Sequence, residues 1–78
     1  MTTTISHRVP LNSSAVAAAA YDHKLATLEL DLCDGARYSY SGVGPEIYSG
    51  LLTAVSKGWY FNRYIRGRFP YLKKPIEY

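Results

Sequence analysis

Between residues 26 and 33 the chain alternates, with Ala26, Leu28, Leu30 and Leu32 set against Thr27, Glu29, Asp31 and Cys33. A period of two predicts a β-strand with one buried and one wet face. Asp34-Gly35 follows and supplies the positive φ angles of a tight hairpin turn. Beyond it, Ala36, Tyr38 and Tyr40 alternate with Arg37, Ser39 and Ser41, which predicts a strand over Ala36–Ser41. Upstream, Val16–Tyr21 contains the run Ala17–Ala20. Alanine favours helix. Tyr21, however, leads through the short polar turn Asp22-His23-Lys24 into a clear strand, and that context favours a strand here too. Small residues beside Leu and Tyr ladders imply that something bulky packs over them.

Gly42-Val43-Gly44-Pro45 ends the sheet. Proline suits the first turn of a helix, and Glu46 suits the positive end of its dipole. Ile47, Tyr48, Leu51, Leu52 and Val55 recur at three- and four-residue spacing and predict an amphipathic helix. Ser56-Lys57-Gly58 punctuates it, and a second helical stretch is expected over about Trp59–Ile65. Phe61 and Ile65 form its apolar stripe, and Tyr60 and Tyr64 lie beside it. Gly67, Pro70 and Pro75 stop the helix and prevent its return, leaving residues 68–72 room for a short edge strand. The fold class expected is α+β: a three-stranded antiparallel β-meander covered on one face by one or two C-terminal helices. Residues 1–9 read as a flexible arm, 10–73 as one domain and 74–78 as a mobile tail.

At 78 residues the chain has room for one domain with a thin core. Its charge is uneven. Residues 1–46 carry Arg8, Lys24 and Arg37 against five carboxylates; residues 47–78 carry Lys57, Arg63, Arg66, Arg68, Lys73 and Lys74 against Glu77. A basic second half points to an anionic partner, or else to an ordinary solvated face. The longest apolar run, Ala15–Tyr21, is far shorter than the roughly 20 residues of a membrane span. The N-terminus resembles no signal peptide, so the expected location is the cytoplasm.

Catalytic chemistry finds little support. His7 falls in the arm and His23 in a turn, neither beside an inferable pocket. Cys33, the single cysteine, has no cation next to it in sequence to activate its thiol. Glu29 and Asp31 share a strand face and mimic a carboxylate pair, but on a wet face such residues are mostly solubilising. No metal-ligand spacing or phosphate loop is present. The reading is a non-enzyme without cofactor, metal or small-molecule substrate. What remains is binding. Eight tyrosines, one tryptophan and the arginines suit either a protein interface or single-stranded RNA. The partner-binding set is Trp59, Tyr60, Arg63, Arg66, Arg68, Lys73 and Lys74. Tyr38 and Tyr40 are either core residues with wet hydroxyls or a base-stacking platform.

The order of Ser13-Ser14, Tyr21-Asp22, Gly35, Tyr38-Ser39-Tyr40, Val43, Glu46, Tyr48, Leu51-Leu52, Ala54, Ser56-Lys57-Gly58, Tyr60-Phe61-Asn62 and Ile65-Arg66 resembles the KTSC domain over Asn12–Lys73. Two departures are Ala20 in place of the glycine usual before Tyr-Asp, and Gly44 inserted between Val43 and Pro45. The family is a short module found alone in bacterial and phage proteins and at the C-terminus of some lysyl-tRNA synthetases, and the resemblance implies a small RNA-binding domain. A free-standing chain of this size also resembles phage-encoded regulators that bind bacterial RNA polymerase, which would place it in the host cytoplasm. The function expected is therefore a small non-enzymatic regulator that binds bacterial RNA polymerase and modulates transcription. An RNA-binding domain is the alternative, and a structural or toxin-neutralising adaptor a third reading.

Overall fold

A computed structural model describes residues 8–76. Five strands form one antiparallel sheet in sequence order: β1 (Val9–Pro10), β2 (Val16–Asp22), β3 (Thr27–Leu32), β4 (Ala36–Tyr40) and β5 (Tyr71–Pro75). Between β4 and β5 run α1 (Pro45–Thr53) and α2 (Lys57–Tyr60), the latter continuing as a π-helical turn over Phe61–Ile65. The class is α+β as expected, but with five strands in place of three. The central meander β2–β3–β4 lies where the alternation puts it. The two added strands are the edges, and the short edge strand allowed for over residues 68–72 forms at Tyr71–Pro75. β1 is two residues long and ends in proline, too short to display a period. β5 carries Lys73-Lys74-Pro75 and is exposed throughout, so it has no buried face to alternate with. Short length, lysine and proline are the features that keep a sheet edge from pairing with another chain.

These edges also correct the domain limits. Val9, placed in the arm by the sequence reading, pairs with Ala19. Lys74 and Pro75, placed in the tail, pair with Arg37 and Ala36. Expectations for His7 and for residues 77–78 lie outside the described residues.

The sheet has two unlike faces. On the inner face, Ala19, Tyr21, Leu28, Leu30 and Tyr40 join Val16, Val43, Leu51, Phe61 and Ile65 in one buried cluster. Leu51 is the fully buried residue of α1; Ile47, Tyr48 and Leu52 are half-buried. Val55, expected on the same stripe, is fully exposed, because α1 ends at Thr53 and Ala54 turns extended at ψ 139°. Ser56 then caps α2, its Oγ accepting a hydrogen bond from the Trp59 amide at 3.2 Å.

On the outer face the alanine run has a purpose. Ala20 pairs with Glu29 and Ala18 with Asp31. The Arg8 guanidinium, coming from the far side of β2, reaches both carboxylates, at 2.5 Å to Glu29 and 3.3 Å to Asp31. Only small side chains on β2 leave it that path, so the bulky group expected over the alanines is an arginine from the supposed arm. Arg37 closes the network with Nε 2.6 Å from Asp31. Glu29 and Asp31 are thus half-buried and buried members of an ion-pair network and not the freely solvated residues expected.

The turns follow local chemistry. Asp22 accepts the amides of Lys24 and Leu25 at 2.9 and 3.1 Å, an Asx turn that opens the β2–β3 connection. Ala26, expected in the strand, lies in this turn at φ 51°. The β3–β4 turn is longer than the two-residue turn expected: the Gly35 amide donates to the Leu32 carbonyl at 3.1 Å around Cys33-Asp34, Asp34 accepts the Ala36 amide at 3.0 Å, and of the expected pair only Gly35 takes a positive φ, at 92°.

Candidate nucleic-acid interface

The inner face of β4 does not end in the core. Tyr38 and Tyr40, two residues apart, stack with ring centroids 6.0 Å apart and planes 13° from parallel. Antiparallel pairing sets Tyr71 of β5 opposite Tyr40 and Lys73 opposite Tyr38. The Tyr71 ring therefore leans on both tyrosines, at 5.3 Å from Tyr38 and 5.5 Å from Tyr40. Phe61 of the π-turn meets Tyr40 edge-on at 6.2 Å. The Lys73 ammonium sits 5.5 Å from the centre of the Tyr38 ring, in cation–π range.

These rings line a cleft of about 380 Å³, together with Leu32 and Asp34 of the β3–β4 hairpin and Arg66-Gly67 after the helix. Its floor and its walls differ. Tyr40 is only 2% exposed, and Phe61 is buried. Burial, followed by the neighbouring hydroxyls of Tyr38 and Tyr71, pushes the Tyr40 phenol up to about 12, while Arg66 pulls the other way. The floor is thus neutral and apolar. Tyr38 is half-buried and Tyr71 is 52% exposed, so these two rings present surface to a ligand.

The π-turn brings the cation. Its extra residue per turn lets the Arg66 amide reach back five residues to the Phe61 carbonyl at 2.8 Å. Arg66 is then extended, and Gly67 follows at φ 75°. The Arg66 guanidinium donates to Asn62 Oδ1 at 3.3 Å, which leaves its other donors for a ligand. Among the described residues, Arg63, Arg66, Arg68, Lys73 and Lys74 have no carboxylate within 4.0 Å.

The structure divides the partner-binding set. Arg66 and Lys73 flank the cleft, with Tyr38 in its wall and Tyr40 in its floor. Lys74 pairs with Arg37 in the β4–β5 register and so belongs to the opposite face. Trp59 is 59% exposed on the helical end, edge-on to Tyr64 at 6.0 Å. Tyr60 is half-buried over α1, where Gly50 leaves space for its hydroxyl. Arg63 and Arg68 are exposed.

Sequence reasoning missed Tyr71, Phe61 and Asp34 as site residues. Tyr71 stood inside the basic segment just after Pro70, and a strand continued to residue 75 would have paired it with Tyr40. Among the described residues no group of three His, Cys, Asp or Glu side chains is placed to hold a metal ion. Cys33 is exposed, its Sγ donating to the Ser13 carbonyl at 3.6 Å, and exposed His23 lies edge-on to Tyr21 at 4.9 Å. No helix among the described residues is long and apolar enough to cross a membrane.

A short α+β module with an aromatic cleft at one sheet edge is the class that this geometry defines. Residues 12–69 match the KTSC domain, and the chain belongs to that family. It is 42% identical over 60 residues to a protein of Tsukamurella paurometabola, covering 77% of this chain and 90% of that one. It is 34% identical over 58 residues to a lysine–tRNA ligase of Nostoc punctiforme, covering 74% of this chain and 10% of the ligase. The crystal structure of a KTSC domain protein from Yersinia pestis superposes with a TM-score of 0.81 at 32% identity, covering 94% of this chain and 99% of that one.

Proposed function

We propose that this chain is a small RNA-binding domain that takes unpaired nucleotides in the cleft between β4, β5 and the π-turn. The observation that carries the reading is the meeting of accessible tyrosine rings with two cations, Arg66 and Lys73, that no carboxylate within 4.0 Å neutralises among the described residues. Aromatic rings stack on bases whatever their sequence, and cations beside them meet the phosphates. Duplex RNA keeps its bases stacked inside, so the cleft favours loops, bulges and single strands. The match to a stretch of a lysine–tRNA ligase supports the reading, since that relative's substrate is an RNA.

The test is fluorescence anisotropy with labelled single-stranded and duplex RNA over a salt series. Single strands are expected to bind better, Tyr38→Ala to weaken them, and Arg66→Gln to reduce the salt slope by about one. Equal affinity for duplex, or no effect of Tyr38→Ala, defeats the reading.

A second reading, a regulator docking on bacterial RNA polymerase, is favoured by one observation. Trp59 and Tyr64 are exposed on the helical end, away from the cleft, and such aromatics anchor protein interfaces. Recovery of polymerase from nuclease-treated bacterial lysate, lost on Trp59→Ala, is its expected result.

A further inference from the structure

The cleft holds one group that a plain stacking platform does not need. Asp34, from the hairpin turn, lines it along with the rings, Arg66 and Gly67. A carboxylate beside a phosphate-binding groove costs affinity, because it repels the backbone. Beyond its part in the hairpin turn, it can serve the cleft only by meeting something that donates hydrogen bonds. Its orientation is set: one oxygen, Oδ1, accepts the Ala36 amide at 3.0 Å within the turn. An ionised carboxylate offers about four acceptor positions, so the rest of its capacity is open. Among the described residues no Lys or Arg lies within 4.0 Å of it.

We infer that the cleft takes an unpaired guanine, and that Asp34 is the residue that selects it; the inference rests on the RNA-binding reading. Nucleobase edges differ in what they show an acceptor-only group. Guanine presents two adjacent donors, N1–H and the N2 amino group, and fits a carboxylate with two parallel hydrogen bonds. Adenine and cytosine each present one amino group beside a ring acceptor, which the carboxylate repels. Uracil presents one N–H between two carbonyls. Reading an extruded base on its Watson–Crick edge while its faces stack on side chains is a general solution. The volume agrees: about 380 Å³ is at the small end for a ligand pocket and suits one nucleotide, not several.

Lys73 and Lys74 line an adjoining pocket together with Asp34, so the acceptor and the cations lie side by side. The base edge goes to Asp34, the base face lies against Tyr38 and Tyr71, and the phosphates lie toward Arg66 and Lys73. Lys73 is held over the Tyr38 ring by a weak, exposed cation–π contact, so it can give way to the base and turn to a phosphate.

The experiment measures affinities of the whole 78-residue chain for four octauridine-based RNAs that carry G, A, C or U at one central position. Wild type is expected to prefer G by about tenfold, within the range that one bidentate side-chain–base pair supplies. Asp34→Asn keeps an oxygen for the Ala36 amide and so keeps the turn, but its amide offers one acceptor and one donor. That pattern fits an adjacent donor and acceptor on any of the four bases, so the G preference should vanish. The readout is the ratio between oligomers, because loss of a negative charge strengthens all four. Equal binding of the four by wild type, or a G preference that survives in Asp34→Asn, overturns the role of Asp34 and leaves RNA binding standing. No binding of any oligomer, or a Tyr38→Ala variant that binds as wild type does, overturns the RNA-binding reading itself and the inference with it.

Discussion

The two faces of this sheet spend their cations differently. On the outer face, Arg8 and Arg37 are committed to Glu29 and Asp31 across three strands, and all four side chains are at least half-covered. On the inner face, Lys73 rests on an aromatic ring and Arg66 on the neutral amide of Asn62. The first arrangement is closed: its donors and acceptors satisfy one another, and its effect is to tie β1 to the sheet. The second is open, with charge left over and stackable rings beside it. A count of charges does not separate the two, because Arg37 and Arg66 are alike in sequence. The partner within reach decides whether an arginine belongs to stability or to recognition.

Several substitutions press on this difference. The largest effect should come from Tyr40→Ala, which removes the buried floor common to core and cleft. A loss of about 3–5 kcal/mol is expected, enough to unfold a domain this small, and chemical denaturation measures it. Alkaline titration probes the same residue without a mutation. The folded-state value of about 12 lies above the ordinary 10.0, so the Tyr40 contribution is whole below pH 10 and is lost as pH rises toward 12. Stability should fall across that window, and a Tyr40→Phe variant should lose less.

Asp31→Ala isolates the closed face. It leaves Arg8 to Glu29 and removes both contacts of Arg37 with Asp31, and should cost about 1–3 kcal/mol of stability with RNA affinity unchanged. A variant that loses RNA binding yet keeps its stability would show that the faces are not separate. Tyr38→Ala is the counterpart on the open face. It should cost ~1–3 kcal/mol of binding, the worth of one stacked base, and the cleft should otherwise persist. Arg66→Gln should be the gentlest for the fold, within ~0.5 kcal/mol by thermal melting, because an exposed cation holding one neutral amide adds little. A marked loss of stability there would make Arg66 a structural residue.

Strands β3 and β4 were legible because each obeys a period of two, with Asp34-Gly35 marking the turn between them. Helix α1 was legible from Pro45 and Glu46, but its buried stripe was read one turn too far. The helix ends at Thr53, so Val55 never reaches the core, and of the expected stripe only Leu51 is fully buried. The aromatic residues of β4 were marked as candidates, yet their neighbours were not. Tyr71 reaches the cleft through the β4–β5 register, Phe61 through a π-turn, and Asp34 through the hairpin, three placements that join segments up to 37 residues apart.

By itself the sequence determined what depends on near neighbours: strand alternation, the turn glycines, the helix start, the stops at Gly67 and Pro70, and a basic second half. Only the tertiary structure decided the edges and the partners. Edge strands have one hydrogen-bonded side and little buried face, so β1 and β5 leave no periodic mark, and they become strands because β2 and β4 offer unpaired backbone groups. Charges interact through space and not along the chain. Arg8 therefore becomes structural by crossing the alanines to Glu29 and Asp31, while Arg66, with no carboxylate in reach among the described residues, is left at the mouth of an aromatic cleft.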